Sequence, residues 1–156
     1  MSLRPRLVVL TLTACAAAAC ASPAPEPSAP PPPPAITQAS VEQAVQDATA
    51  ALASGDGAKA AASYAPDAVF VSARGKVESQ AGIEAFWTEA LTAGAGKDLK
   101  LETLKWGTSG DMAYTLSRFT GGITATSGHV LAVSVRQADG TLKTVAQVSI
   151  PDPPAK

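Results

Sequence analysis

Cysteine is nearly missing from this chain: it occurs only at Cys15 and Cys20, so residues 21–156 have neither a disulfide nor a thiol nucleophile available. Histidine occurs once, at His129, and metal binding there would need further ligands that the surrounding sequence does not offer. Aromatic residues make up 4% of the chain, and its 12 basic and 13 acidic side chains nearly cancel. No run of like charge and no basic stripe interleaved with aromatics is present, which speaks against nucleic-acid or anionic-lipid binding. Phosphate-cradling glycine loops, Ser-His-Asp and Cys-His triads and paired metal motifs are equally missing, and so are internal repeats. No cofactor or metal is expected. The longest apolar stretch, Leu7 to Ala21, is shorter than the roughly 20 residues a bilayer-spanning helix needs.

That stretch has the order of a secretory signal. Arg4 and Arg6 supply positive charge, and Leu7 to Thr13 is almost wholly apolar. Leu12-Thr13-Ala14-Cys15 resembles the lipobox of bacterial lipoproteins, whose cysteine becomes a lipidated amino terminus. Ala17-Ala18-Ala19-Cys20 is a poorer version of it. Ordinary cleavage after Ala19-Cys20-Ala21 fits the small-x-small rule and would release a soluble protein. The expectation is therefore an exported protein, lipid-anchored on the periplasmic side of the envelope, or soluble if not lipidated. Its membrane contact would be through the lipid alone. From Ser22 to Ala35 the chain is mostly proline and alanine, with Pro30 to Pro34 unbroken. Such a stretch favours polyproline II and acts as a spacer of about 3 Å per residue. The expected organisation is a signal over 1–20, a proline-rich disordered linker over 21–38, one domain over 39–150 and a disordered tail over 151–156.

Within the domain, Ser40 with Gln43 three residues on reads as a capping box. Val41, Ala44, Val45, Ala48, Ala51 and Leu52 follow at helical spacing, and Gly55 ends the helix. Asp56 caps a second helix over Ala58 to Tyr64, after which Ala65-Pro66-Asp67 reads as a turn tied by the Asp67 carboxylate. Ala68 to Ser72 reads as a strand and Ala73-Arg74-Gly75 as a turn. Gln80 to Thr92 reads as a third helix with Ile83, Phe86, Trp87 and Leu91 on its apolar face. Four strands then follow: Leu99 to Trp106, Met112 to Thr120, His129 to Arg136 and Leu142 to Ser149. This order predicts an α+β fold in which three N-terminal helices pack on a curved antiparallel sheet and enclose a cone-like cavity.

Three segments carry a family resemblance: Ala53-Ser54-Gly55-Asp56 with Ala62-Ser63-Tyr64-Ala65-Pro66-Asp67-Ala68-Val69, then Ala81-Gly82-Ile83-Glu84-Ala85-Phe86-Trp87, then Ser109-Gly110-Asp111-Met112-Ala113-Tyr114. Together they resemble the nuclear transport factor 2-like superfamily, in particular its SnoaL-like and ketosteroid-isomerase-like branch. The resemblance implies a cone-shaped fold and a homodimer through the open sheet face, but no one reaction, because this scaffold hosts isomerases, hydrolases, dehydratases and binders. It places the isomerases' general-base aspartate at Ser72, their oxyanion-hole tyrosine at Ala48 and the partnering acid among Leu131, Ala132 and Val133. A serine lacks the carboxylate that accepts the proton, and no donor remains to hold an enolate. Gln147, where related domains often carry an aspartate, can bind but cannot titrate.

The candidate ligand-binding residues are Tyr114, Arg118, His129, Gln147 and Trp106. Arg118 shares strand parity with Tyr114 and Leu116 and could meet an anionic ligand if those residues face the cavity. His129 is the only candidate acid or base. Trp106 could line the cavity mouth or a dimer seam. The reading that follows is an envelope-tethered binding or interaction domain without catalysis, holding a small apolar molecule. The alternative is an enzyme of the isomerase, hydrolase or dehydratase kind using His129 with Tyr114 or Arg118.

Overall fold

A computed structural model describes residues 35–121 and 127–153. The signal over 1–20 with Cys15 and Cys20, the linker up to residue 34, residues 122–126 and residues 154–156 lie outside the described residues. The elements run α1 (Gln38–Ala53), α2 (Gly57–Ala61), β1 (Tyr64–Ser72), β2 (Gly75–Glu78), α3 (Gln80–Thr92), β3 (Lys100–Ser109), β4 (Met112–Thr120), β5 (Ser127–Arg136) and β6 (Leu142–Pro151).

Helix α1 is capped one turn earlier than the sequence suggests. The Thr37 side chain accepts from the Ser40 amide at 3.2 Å and the Ser40 hydroxyl accepts from the Thr37 amide at 3.0 Å, while Gln43 bonds Asp47 instead. Threonine is itself a good cap, so the earlier of two adequate starts prevails. Asp56 caps α2 as expected, accepting from the Lys59 amide at 3.1 Å. Helix α2 ends at Ala61, sooner than read. The segment expected to finish that helix and then turn is strand: Ala65, forced into extended backbone by Pro66, continues β1. A register irregularity between Tyr64 and Val69 absorbs the proline. Asp67 is therefore an exposed strand residue, and no hydrogen bond ties its carboxylate among the described residues. Gly57, at the start of α2, is required by close approach: a Cβ there would lie 2.7 Å from the Thr88 amide nitrogen of α3.

The sheet has six strands in the order β2-β1-β6-β5-β4-β3. It is mixed rather than antiparallel, because β1 and β6 run parallel. Consecutive hairpins oblige β3 to β6 to alternate, but they leave open how the last of them meets a strand placed before α3. Strand β2, which the sequence reading did not assign beyond placing Gly75 in a turn, pairs antiparallel with β1 across the two-residue connection Ala73-Arg74. The closing strand runs past the expected domain end, and the Asp152 amide donates to the Ser127 carbonyl at 3.0 Å.

The core lies where α3 crosses β1. Ile83 and Leu91 of the predicted stripe are buried, and Phe86 and Trp87 pack partly buried beside them. Phe70 is enclosed on three sides, with Phe86 edge-on at 4.9 Å, Trp87 stacked at 5.6 Å and Tyr64 edge-on at 6.4 Å between ring centroids. Such aromatic contacts add about 0.5–1.5 kcal/mol each beyond area burial.

Candidate functional site

Helix α1 turns Ala44 and Ala48 toward the sheet, and these short side chains leave a cavity of about 250 Å³ between the helices and the inner sheet face. Its floor is built by alternate strand residues: Thr115 and Ser117 of β4, Val130 and Ala132 of β5, Gln147 and Ser149 of β6. Phe70, Phe86 and Trp87 form an apolar wall. Ser72 and Ala48, where the resemblance places the isomerases' base and oxyanion-hole tyrosine, line this cavity, as does Ala132, the one of Leu131, Ala132 and Val133 that reaches it, and none of them titrates.

The polar groups are few and ordered. The Tyr64 hydroxyl donates to Gln147 Oε1 at 3.1 Å, which fixes the amide with its nitrogen free to donate. Burial pushes the Tyr64 phenol up to about 12, partly offset by Trp87 and by Gln147. Trp87 Nε1 is buried near this hydroxyl without the geometry of a hydrogen bond. Arg74, in the β1–β2 connection, is the sole charged residue in the lining among the described residues; its guanidinium bonds Glu89 and lies over the Phe86 ring, 5.1 Å from its centroid.

Tyr64 makes alkaline stability a readout of this network. Below pH 10 the phenol is protonated in both folded and unfolded chains, so its contribution is complete. Between pH 10 and about 12 only the unfolded chain ionises, and stability falls as pH rises. The expected loss is about 2–3 kcal/mol. Urea unfolding at pH 9 and pH 11.5 should show a steeper decline for the wild type than for Tyr64→Phe, the difference cancelling the titration of the lysines.

Of the five sequence candidates, the structure puts Gln147 in the cavity lining. Tyr114, Arg118 and His129 lie on the opposite face, so the condition under which Arg118 would meet a ligand in the cavity is not met: Ala113 and Ser117 are the buried residues of β4, and 114, 116 and 118 point outward. The Tyr114 ring lies over Gly107 of β3, where a Cβ would come within 2.5 Å of it. Arg118 and His129 are cross-strand neighbours, and His129 Nδ1 is 3.4 Å from Asp152 Oδ1, with roughly half its side chain exposed. The proposed convergence of His129 with Tyr114 or Arg118 inside the cavity does not occur. Trp106 pairs with Thr115 and so shares the inner face, but it stands outside the cavity lining. The sequence reading missed Arg74, which looked like a turn residue, and Ser117 and Ser149, whose only signal was their alternation along a strand. Among the described residues no group of three His, Cys, Asp or Glu could hold a metal ion, and no helix is long and apolar enough to cross a membrane.

Solved structures share this fold. A ketosteroid isomerase-like protein from Erwinia carotovora atroseptica superposes with a TM-score of 0.65 at 19% identity, over 74% of this chain and 96% of that one. A domain of unknown function with a cystatin-like fold from Nostoc punctiforme gives 0.64 at 17% identity, over 76% and 81%. A nuclear transport factor 2-like protein from Novosphingobium aromaticivorans gives 0.60 at 12% identity, over 76% and 83%. No curated protein matches the sequence significantly. The SnoaL-like domain family matches residues 45–143, from the middle of α1 to the start of β6. With more than half of the chain matched and the cavity-bearing fold in place, this protein belongs to the SnoaL-like domain family.

Proposed function

We propose that this SnoaL-like domain is a non-catalytic binder of a small, largely apolar molecule, exported and tethered to the cell envelope through a lipidated cysteine and the proline-rich linker. The observation that carries the reading is the cavity lining among the described residues: no carboxylate and no histidine, one arginine at its edge, and a tyrosine that burial keeps protonated. A cavity with few polar groups serves recognition, whereas proton abstraction needs a base within reach of the substrate. Titrating the purified domain with small amphipathic molecules should raise its melting temperature. Substrate turnover that survives the loss of Arg74 and Gln147 would count against a pure binder. The anchor is tested in the full chain, where radiolabelled palmitate should label the wild type and a Cys15→Ser variant should lose most of that label.

The outer sheet face supports a second part of the reading, a homodimer. Leu104, Met112, Tyr114, Leu131, Val148 and Ile150 are exposed large apolar residues, all on β3 to β6. A patch of this kind on one face marks an interaction surface, and Glu102 beside Arg118 gives it charges of both signs that a two-fold partner can match. Sedimentation should give a dimer for the wild-type domain and a monomer for Leu131→Asp, with cavity binding retained.

A further inference from the structure

Resting on the binding reading of this same cavity, the geometry points to its ligand class: a small amphipathic monocarboxylate, its head group at Arg74 and its hydrocarbon body against Phe70, Phe86 and Trp87. Among the described residues Arg74 is the only charge in the lining, so those residues offer one cation and no carboxylate to meet a cationic ligand, nor a second cation for a second negative charge. A carboxylate left unpaired in an apolar cavity is costly, and a planar guanidinium is the group that receives it bidentately.

The head-group end has further donors. The Arg74 amide donates to Ser72 Oγ at 3.2 Å, which occupies that oxygen as acceptor and leaves its proton to be donated. Ser72 and Ser149 each follow a member of the last β1–β6 pair, Val71 with Val148, and both line the cavity. Cation and hydroxyls thus share the end of the cavity where β1 passes into its turn. The apolar part is continuous with this head-group end, because Phe86, on whose ring the Arg74 guanidinium lies, also touches Phe70 and Trp87. A molecule with one anionic end and a hydrocarbon body matches that sequence of surfaces. A cavity of about 250 Å³ falls under the roughly 300 Å³ at which drug-sized pockets begin, which limits the body to a short chain or a small ring system.

Glu89 occupies the guanidinium in the unliganded protein. Its side chain is 70% exposed and that of Arg74 50%, and a pair this open to water contributes little to stability. A ligand carboxylate beside the apolar wall sits in a lower dielectric and displaces it. Glu89 is then a resident competitor, and removing its charge strengthens binding.

The test uses octanoate and 1-octanol, which differ only in the head group, measured by calorimetry on the wild type, Arg74→Leu and Glu89→Gln. Octanoate should bind at least about tenfold more tightly than octanol. Arg74→Leu should erase that preference without weakening octanol, and Glu89→Gln should tighten octanoate about twofold or more. Both replaced side chains are half-exposed or more, and Glu89→Gln probes the same guanidinium independently if Arg74→Leu folds poorly. Equal affinities for the two compounds, unchanged by Arg74→Leu, would overturn the carboxylate assignment while leaving the cavity as a binding site. Failure of both compounds to bind would overturn the binding reading and this inference with it.

Discussion

Replacing Phe70 by alanine is expected to cost about 3–5 kcal/mol, the range for truncating a fully buried phenylalanine. Phe70 is 2% exposed and is the ring that Tyr64, Phe86 and Trp87 all touch, so its removal leaves three aromatic partners facing a void. The residue lies on β1, which is held by β2 on one side and β6 on the other, so the strand cannot shift far to close the gap. A domain of this size has a total stability of about 5–15 kcal/mol, so such a loss removes a large share of it. Phe86→Ala should cost less, because Phe86 is only partly buried and one of its faces is covered by Arg74. Urea denaturation of both variants ranks them. A Phe70→Ala cost no larger than that of Phe86→Ala would mean the aromatic cluster is not closed around Phe70.

This cluster was also the most legible part of the sequence. Ile83, Phe86, Trp87 and Leu91 recur at helical spacing, and burial by helix α3 follows from that period. The sheet was harder to read for a physical reason visible in β4. Its outward set is Met112, Tyr114, Leu116 and Arg118, and its inward set is Ala113, Thr115, Ser117 and Phe119. Here the more apolar set faces away from the core. The usual inference from alternation assumes that apolar means inward, and it fails where a cavity floor carries small polar residues and the outer face carries exposed large apolar ones. The parallel β1–β6 pairing was illegible for another reason: no local pattern records which distant strand a chain returns to. Arg74 was hidden by its place in a two-residue connection, where the sequence shows a turn but not what lies beneath it.

The same contrast between core and cavity yields the second large effect, of opposite sign in stability. Ala132→Phe should leave the domain at least as stable as the wild type and abolish ligand binding. Ala132 lies in the middle of the cavity floor, with Thr115 of β4 on one side and Gln147 of β6 on the other. A phenyl group projecting from it enters space that is empty rather than packed, so the strain of about 1–3 kcal/mol that follows overpacking of a filled core is not incurred. The added apolar surface would instead be buried against Phe70 and Trp87 across the cavity, with a gain on the scale of about 25 cal/mol per Å². Binding is lost because a cavity of about 250 Å³ cannot hold both an aromatic ring and a ligand. Thermal melts with and without octanoate separate the two effects: the wild type should gain melting temperature on adding the compound and Ala132→Phe should not. An Ala132→Phe domain that melts well below the wild type would show that the floor is packed, and that the space assigned to a ligand belongs to the protein's own side chains.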